Sequence, residues 1–360
     1  MKDTRSFWVR AVALATVAAQ GHAAETSTPT APLPRVHVLA TGGTIAGAQT
    51  PNSGYGYRSG AYDVATLLAS VPGLARLATL SGEQVASIGS QDMNDAVWLA
   101  LARRVEAALA SPDTDAVLVT HGTDTPEETA YFLSLVTRSD KPVVMVGAMR
   151  PATALSADGP ANLHAAVAVA TDPGARGKGT LVVLNDTIHY ARNVVKTETT
   201  GVQAFASLNR GPAGQVHAGH VRWFEPMDRK LGRATGFTVE GVQTLPRVDV
   251  LYAHANMSVD LIEAAVRNGA RGIVVAGVGD GNMTTPALEA LTQAARRGVA
   301  VVRSTRLPAG IVLRNAEVDD DARGFVVSGE LNPAKSRVLL QLALTQTTDP
   351  ARIQRMFDAY

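Results

Sequence analysis

The sequence contains no cysteine, no excess of charge of one sign and, beyond its N-terminus, no apolar run long enough to cross a bilayer. Without cysteine the protein has neither disulfides nor a thiol nucleophile, so its stability must come from packing or from association between subunits. The 33 basic and 32 acidic side chains nearly cancel, and this balance offers no basic surface for a nucleic acid. The chain instead has 46% hydrophobic and 18% charged residues, which is typical of a globular protein with a sizeable core.

The N-terminus has the composition of an export signal. Three basic residues within the first ten precede a small apolar run at 11–19, and Gly-His-Ala at 21–23 forms a small-x-small cleavage site. The alternative is an uncleaved membrane anchor, which the shortness of the run disfavours. We therefore predict a signal peptide at 1–23 and, because the next segment is rich in Thr and Pro, a disordered leader at 24–34. The mature protein is expected to have no membrane segment.

Short apolar runs rich in Val, Ile and Leu alternate with amphipathic stretches of helical length. Because the runs lack strict alternation, they favour strands covered on both faces, as in the parallel sheets of α/β proteins. A length of 360 residues predicts roughly two domains, and the periodicity fades at 225–247. We expect a larger N-terminal domain at 35–224 and a smaller C-terminal domain at 248–360, joined by a linker, each with a mainly parallel sheet flanked by helices. The predicted strands are 36–40, 116–120, 142–147, 180–185, 248–254, 272–277 and 299–304, and the predicted helices are 94–110, 126–136, 162–171, 259–268, 286–297, 333–346 and 349–360.

The first predicted strand runs directly into a turn with paired glycines and Thr44. Ligands bind at the carboxyl ends of strands in open parallel sheets, and glycines let the backbone approach a ligand closely. A tight turn with threonine capping is an equally good interpretation of the spacing alone. A dinucleotide site is not, because the glycines at 42, 43 and 47 do not match G-x-G-x-x-G.

The predicted strand at 116–120 also ends in a polar loop, which contains Thr123 and Asp124. Thr125, Pro126 and the glutamates that follow form a predicted capping box with proline at the first helical position. Thr125 is therefore expected to serve as a cap only. Thr123 and Asp124 are left facing the same crevice as Thr44, an arrangement that favours function.

A threonine hydroxyl is a poor nucleophile until a neighbouring group takes its proton. His121 is the only histidine beside a strand-end motif, and the sequence has no G-x-S-x-G. His217 and His220 lie in an unpatterned segment without a third ligand of matching spacing, so we interpret them as solvated loop histidines and predict no metal site.

Other polar residues provide further candidates. Lys196 can act as a base if it is kept neutral, although a lone lysine is more often a surface charge. The segment 49–57 has the composition of a mobile loop that closes over a ligand, or of an ordinary loop. Ser90 and Gln91 precede the helix predicted at 94–110, where they either hold polar substrate groups or cap that helix.

Six segments share a pattern with one enzyme family. The run Ala-Thr-Gly-Gly-Thr-Ile-Ala-Gly at 40–47 and the run Thr-His-Gly-Thr-Asp-Thr at 120–125 resemble the two signatures of bacterial type II L-asparaginases. The resemblance covers nearly the whole mature chain, and the other matching segments are 89–94, 144–151, 156–160 and 339–347.

The resemblance implies an amidohydrolase that converts L-asparagine to L-aspartate and ammonia through a threonine nucleophile and an aspartyl ester. It also implies a periplasmic homotetramer whose active sites are completed by a neighbouring subunit, without a metal or an organic cofactor.

The resemblance also assigns roles to residues. It makes Thr44 the primary nucleophile, and Tyr57 assists its proton transfer; Tyr57 is chosen over the tyrosines at 55 and 62 because Arg-Ser-Gly follows it. Thr123, Asp124 and Lys196 form the second catalytic cluster.

The remaining assignments concern the substrate. Ser90 matches the residue that holds the α-carboxylate, and Gln91 and Asp124 match those that receive the α-ammonium. Glu317, with Asn282 beside it, resembles the acid that a neighbouring subunit contributes. The sequence departs from the best-known members at Asp280, where they have Asn, and this extra carboxylate is expected to affect affinity or substrate preference.

Two other functions fit the same features. A glutaminase-asparaginase also acts on glutamine, which is longer than asparagine by one methylene. One methylene changes the free energy that discriminates between two substrates by only about 1–3 kcal/mol. A non-catalytic amino-acid-binding protein would share the export signal and the two α/β domains, but it has no use for two threonine clusters and a lysine.

Overall fold

The computed structural model describes residues 32–50, 56–224 and 226–360. The signal peptide predicted at 1–23 and nearly all of the predicted leader lie outside the described residues, as do residues 51–55 of the predicted mobile loop. From Leu33 to Tyr360 the chain forms one compact unit. Within the described ranges, no helix combines the length and the apolar character needed to span a membrane.

The strands and helices alternate along much of the chain as the sequence predicts, but among the described residues between 180 and 252 seven strands follow one another without an α-helix. The strands are β1 (Arg35–Gly42), β2 (Ala48–Gln49), β3 (Tyr57–Arg58), β4 (Thr79–Ile88), β5 (Ala116–Thr120), β6 (Val143–Val146), β7 (Thr180–Leu184), β8 (Thr187–Tyr190), β9 (Val195–Lys196), β10 (Phe205–Ala206), β11 (Gly214–His217), β12 (His220–Trp223), β13 (Val248–Tyr252), β14 (Gly272–Gly277), β15 (Ala300–Thr305) and β16 (Phe325–Val327). The α-helices are α1 (Val64–Ala69), α2 (Asp95–Ala110), α3 (Pro126–Val136), α4 (Gly159–Thr171), α5 (Asp260–Arg267), α6 (Thr285–Arg296), α7 (Asp320–Arg323), α8 (Pro333–Ala343) and α9 (Pro350–Ala359).

The N-terminal domain is built on an eight-stranded sheet with the order β12-β11-β8-β7-β6-β5-β1-β4. The five strands from β7 to β4 run parallel, and β8, β11 and β12 extend the sheet as antiparallel strands. Strands β5, β6 and β7 are buried along their whole length, as their continuous apolar runs predict. Because β4, β1 and β5 are neighbours, the loops at their carboxyl ends meet at one edge of the sheet.

The C-terminal domain contains a four-stranded sheet, β13-β14-β15-β16, in which every pair is parallel. Helix α8 lies against this sheet and also against α3 of the N-terminal domain. Its buried leucines belong to the same apolar cluster as Phe132 of α3. The predicted fold of two α/β domains is confirmed, whereas the domain boundaries at 224–225 and 247–248 stay predictions.

Most predicted elements end within one to three residues of the observed ones, and 116–120, 126–136 and 272–277 coincide with β5, α3 and β14. The interpretation of His217 and His220 as loop residues is wrong. They pair with each other across the β11–β12 hairpin, although both side chains are exposed. Strand β4 was not predicted because its sequence, TLSGEQVASI, contains few apolar residues and its side chains are mostly half-buried or exposed.

Candidate active site

The loops that follow β1, β4 and β5 pack backbone against backbone, and glycines make this possible. Gly43 has a φ of 80°, and a Cβ atom at this position would lie 2.3 Å from the amide nitrogen of Gly122. A Cβ atom on Gly122 would in turn lie 2.6 Å from the hydroxyl of Ser90. Side chains at either glycine would therefore force the three loops apart. The glycines of both signature motifs serve to bring the threonine loops together.

Thr44 begins a 3-10 helix, Thr44–Ala46, immediately after β1. Its Oγ1 lies 2.7 Å from the Oη of Tyr57, and either hydroxyl can be the donor. Tyr57 belongs to β3, which pairs with β2 through Gln49. The tyrosine is 39% exposed, whereas Thr44 is buried. This geometry gives Thr44 a hydroxyl neighbour at hydrogen-bonding distance.

Lys196 joins the two side chains of the second cluster. Its Nζ donates to Oγ1 of Thr123 at 3.2 Å and to Oδ1 of Asp124 at 2.8 Å. Lys196 lies on β9, opposite Phe205 of β10, so its backbone is held by a strand pair. The lysine is half-buried, and it is therefore not the free surface charge that a lone lysine usually is. The three side chains form one hydrogen-bonded cluster at the β5 loop.

Both clusters line a single pocket of about 590 Å³. The pocket brings Thr44 with Tyr57 and Thr123 with Lys196 into one space, as the predicted mechanism requires. Several lining residues had no predicted role. Some of them lie in the loop after β6, which belongs to one of the matching segments and follows a parallel strand, where ligand contacts are expected. The lining residues without a predicted role are Gln49, Met149, Arg150, Pro151, Ala154, Leu155, Thr199 and Thr200.

His121 is buried beneath the β5 loop and does not line this pocket. Its Nδ1 lies 2.7 Å from the carbonyl oxygen of Gly122, and its Nε2 has no hydrogen-bond partner among the described residues. Burial lowers the pKa of His121 to about 4, so the ring is neutral near pH 7. Within the described ranges, no three His, Asp or Glu side chains come together as a metal site would require.

Ser90 links the β4 loop to the second cluster. Its Oγ accepts from the amide of Asp124 at 3.0 Å, and its carbonyl oxygen accepts from the hydroxyl of Thr125 at 2.7 Å. The predicted capping role of Thr125 is therefore wrong: the residue occupies the position before α3, but among the described residues its hydroxyl oxygen accepts from no helix amide, and its O–H donates to the Ser90 carbonyl. Ser90 and Gln91 are not caps either, since Asn94 caps α2 through the amide of Val97 at 3.1 Å.

Gln91 is exposed, and its Nε2 donates to Oδ2 of Asp92 at 3.3 Å. The amide oxygen of Gln91 is the part of this side chain suited to accept from an ammonium group. Gln91 lies next to Ser90, on the short 3-10 helix Ser90–Asp92 that follows β4.

Asn282 and Glu317 lie in the C-terminal domain and contact each other through Nδ2 and Oε2. Neither residue lines the pocket of its own chain among the described residues. Asn282 is held by two backbone hydrogen bonds to Val278, and Oδ1 of the unusual Asp280 accepts from the amide of Leu313 at 2.8 Å. The structure thus brings Thr44, Tyr57, Thr123, Asp124 and Lys196 into one pocket and joins Ser90 to Asp124, whereas Gln91, Asn282 and Glu317 do not line that pocket in the described part of the chain.

The structure thus combines two α/β domains with a strand-end pocket in which each of two threonine hydroxyls lies within hydrogen-bonding distance of another polar side chain, an arrangement that fits a hydrolase. The chain belongs to the asparaginase family: the asparaginase N-terminal domain model matches residues 35–229, and the glutaminase/asparaginase C-terminal domain model matches residues 247–357. The family predicted from the six segments is confirmed.

Several relatives match over most of the chain. The probable periplasmic L-asparaginase of Haemophilus influenzae is 50% identical over 92% of this chain and 94% of its own length. L-asparaginase 2 of Escherichia coli is 50% identical over 91% of this chain and 94% of its own. The glutaminase-asparaginase of Pseudomonas fluorescens is 44% identical over 96% of this chain and 94% of its own.

Proposed function

We propose that this protein is an L-asparaginase, which hydrolyses L-asparagine to L-aspartate and ammonia. The observation that carries the proposal is the single pocket lined by Thr44, Tyr57, Thr123 and Lys196. Each threonine hydroxyl in it lies within hydrogen-bonding distance of a group that can exchange a proton. The names of the relatives support the substrate, since two of them at 50% identity are L-asparaginases.

In the proposed mechanism the first cluster forms a covalent ester. The Thr44 oxygen attacks the side-chain amide carbon of asparagine while Tyr57 relays the proton: its Oη takes the proton of the Thr44 hydroxyl as its own phenolic proton passes to the leaving nitrogen. The amide C–N bond then breaks, and the nitrogen, with that proton, departs as ammonia. Developing negative charge on the carbonyl oxygen needs fixed donors, each worth about 3 kcal/mol. The turn amides of Thr44 and Thr123 are suitable, because the neighbouring amides of Gly43 and Asp124 are already bonded within the protein.

The second cluster serves hydrolysis of the ester. Lys196 bridges Thr123 and Asp124, and its charge lowers the cost of deprotonating Thr123 or a water molecule beside it. A water molecule supplies the attacking oxygen in either case. It attacks the ester carbon as its proton passes to the second cluster, the bond to Thr44 breaks, and the Thr44 oxygen regains a proton from that cluster. Aspartate leaves, and the enzyme returns to its starting state without a cofactor.

The remaining site residues hold the substrate's backbone groups in this proposal. Because Ser90 Oγ accepts from the Asp124 amide, its own O–H is free to donate to the α-carboxylate. The carboxylate of Asp124 and the amide oxygen of Gln91 receive the α-ammonium. Glu317 and Asn282 of a neighbouring subunit complete this end of the site, which requires a homotetramer or a smaller assembly containing the same contact.

We also propose that the protein is exported to the periplasm. The support is the signal-like composition of residues 1–23 and the word periplasmic in the name of the Haemophilus influenzae relative. Mass spectrometry of the protein recovered from the periplasmic fraction would test this, and a full-length chain in the cytoplasm would contradict it.

A glutaminase-asparaginase with comparable activity on both amides is the second candidate. The relative of that name from Pseudomonas fluorescens, at 44% identity, favours it. Since one methylene changes the binding free energy by about 1–3 kcal/mol, the ratio of kcat/KM values for the two amides decides between the candidates.

The test is ammonia release by the purified mature protein from L-asparagine, L-glutamine and their D-forms. We expect the highest kcat/KM for L-asparagine and loss of turnover in Thr44→Ala with the fold retained. Thr41→Val is the matched control, because Thr41 precedes the same turn but its hydroxyl donates to the carbonyl of Thr120 and does not line the pocket. Saturable binding of asparagine without ammonia release would instead identify an amino-acid-binding protein.

A further inference from the structure

Lys335 is a buried charge that the proposed mechanism does not use. It lies in the first turn of α8 in the C-terminal domain and is only 1% exposed. Its Nζ donates to Oε2 of Glu127 at 3.1 Å and also to the carbonyl oxygen of Val194. Asn332, the cap of α8, donates to the same carboxylate oxygen at 2.9 Å. The start of α8 is thus attached to two segments of the N-terminal domain.

These two segments carry the second cluster. Val194 comes immediately before β9, whose second residue is Lys196. Glu127 lies in the first turn of α3, directly after the loop that carries Thr123 and Asp124. One ammonium group therefore connects the backbone carbonyl before β9 with a carboxylate side chain that follows the Thr123 loop, on the two sides of the 3.2 Å contact between Lys196 and Thr123.

A second contact from the C-terminal domain holds the same segment. Arg192, two residues before Val194, pairs with Glu330 at 3.1 Å and donates through Nε to the carbonyl oxygen of Tyr360 at 2.6 Å. The segment that leads to Lys196 is therefore fixed twice by groups from the other domain of the same chain.

An apolar side chain would fill the space of Lys335 without burying a charge. Moving an ammonium group out of water is unfavourable, and replacing buried ion pairs by apolar residues is often neutral or stabilising. Stability alone therefore does not explain why a charge is here. Directional donors offer something that an apolar side chain does not: they fix the distance and angle between the groups they join.

We propose that Lys335 is a positioning residue, which sets the geometry of Lys196 relative to Thr123 by fastening Val194 to Glu127. The inference deepens the proposed function and rests on it. It assigns to the C-terminal domain a role within its own subunit, in addition to the role of Glu317 in a neighbouring one.

The first test is Lys335→Met in the full-length mature protein. We expect kcat for L-asparagine to fall by about 10- to 100-fold, because a displacement of about 1 Å in a catalytic group has such an effect, while KM stays close to that of the wild type. Leu339→Ala is the control, since Leu339 is buried on the same helix and does not contact either segment through a polar group. It should lower Tm and leave kcat per folded molecule unchanged.

A double-mutant cycle tests whether the effect passes through Lys196. In a Lys196→Met background, with residual turnover measured at high enzyme concentration, Lys335→Met should have almost no further effect on kcat. An equal fold-change in both backgrounds would overturn the proposal, as would an unchanged kcat in Lys335→Met. If Lys335→Met does not fold, Glu127→Met removes the acceptor at the other end of the link, and an unchanged kcat in that variant would overturn the proposal equally. Failure of the proposed function would be recognised separately, because the wild type itself would release no ammonia.

Discussion

The two threonine clusters share a pocket but are assembled in different ways. Thr44 and its partner Tyr57 are 13 positions apart, and the tyrosine lies exposed on a two-residue strand. Thr123 and Lys196 are 73 positions apart, and the strand of Lys196 is attached to α8, where Lys335 lies 141 positions beyond Val194. The first cluster is therefore local in the sequence, whereas the second depends on contacts between the two domains.

This difference suggests a division of labour within the proposed mechanism. A hydroxyl pair on an exposed strand can rearrange as the substrate enters and leaves. A lysine on a strand that is fastened by buried donors is expected to keep one position throughout the reaction. Substitutions in the first cluster should therefore act only on the step they touch, while substitutions far from the second cluster can still reach it.

After the loss of turnover expected in Thr44→Ala, the largest effect is expected from Thr123→Val, which removes the hydroxyl but keeps the shape of the side chain. If the hydroxyl serves only chemistry, kcat should fall at least about 100-fold with little change in Tm. Steady-state ammonia release and a thermal melt measure both quantities. Near-normal turnover would remove Thr123 from the mechanism and leave Thr44 as the only essential threonine.

Tyr57→Phe tests the local cluster in the same way. It removes the group that lies 2.7 Å from Oγ1 of Thr44, and general-base contributions predict a decrease in kcat of about 100-fold or more. Because Tyr57 is exposed, Tm should not change. A rapid burst of ammonia release that survives in the variant would show that another group takes the proton of Thr44.

A smaller effect, on KM and not on kcat, is expected from Glu317→Ala. The side chain is proposed to bind the α-ammonium from a neighbouring subunit, and loss of a hydrogen bond to a charged group predicts an increase in KM of about 10- to 100-fold. Glu240→Ala, at an exposed position that lines a different pocket, is the control. An unchanged KM would argue against ammonium recognition by Glu317.

The smallest effect is expected on the pH dependence of the free energy of unfolding, through two buried histidines. Burial lowers the pKa of His121 to about 4, and burial with a smaller contribution from the charge of Lys335 does the same for His189. The unfolded chain binds these protons below about pH 6.5, whereas the folded chain stays neutral until about pH 4. The free energy of unfolding should therefore decrease as the pH falls from 6.5 to 4, by on the order of 1–3 kcal/mol for each histidine.

Urea unfolding at several pH values measures this dependence. His121→Gln should make it shallower, while the same change at the exposed His217 should not. An equal dependence in both variants would show that the acid sensitivity arises elsewhere, for example in paired carboxylates.

The sequence predicted the layers of the fold well because its signals are local. Apolar runs of strand length and amphipathic stretches of helix length are properties of neighbouring residues, and β5, β14 and α3 follow them. Strand β4 and the β11–β12 hairpin were missed because they lack such an apolar pattern. These elements lie at the two edges of the sheet, where partial exposure removes the apolar pattern.

Thr125 illustrates the limit of local rules at the site. The residues at 125–128 satisfy the capping pattern, but within the described ranges the Thr125 hydroxyl accepts from no amide of α3 and instead donates to the carbonyl of Ser90. No property of the β5 loop alone predicts this contact, because Ser90 comes from the loop after another strand.

The sequence by itself determined the α/β alternation, the glycine-rich turns and the family, since each depends on residues close together in the chain. Only the tertiary structure decided that Lys196 contacts Thr123 and that His121 is neutral and buried. It alone also decided that Lys335 connects Val194, which precedes the strand of Lys196, with Glu127, which follows the loop of Thr123. Such contacts arise when separate elements pack, because burial and donor geometry depend on neighbours that are distant in the sequence.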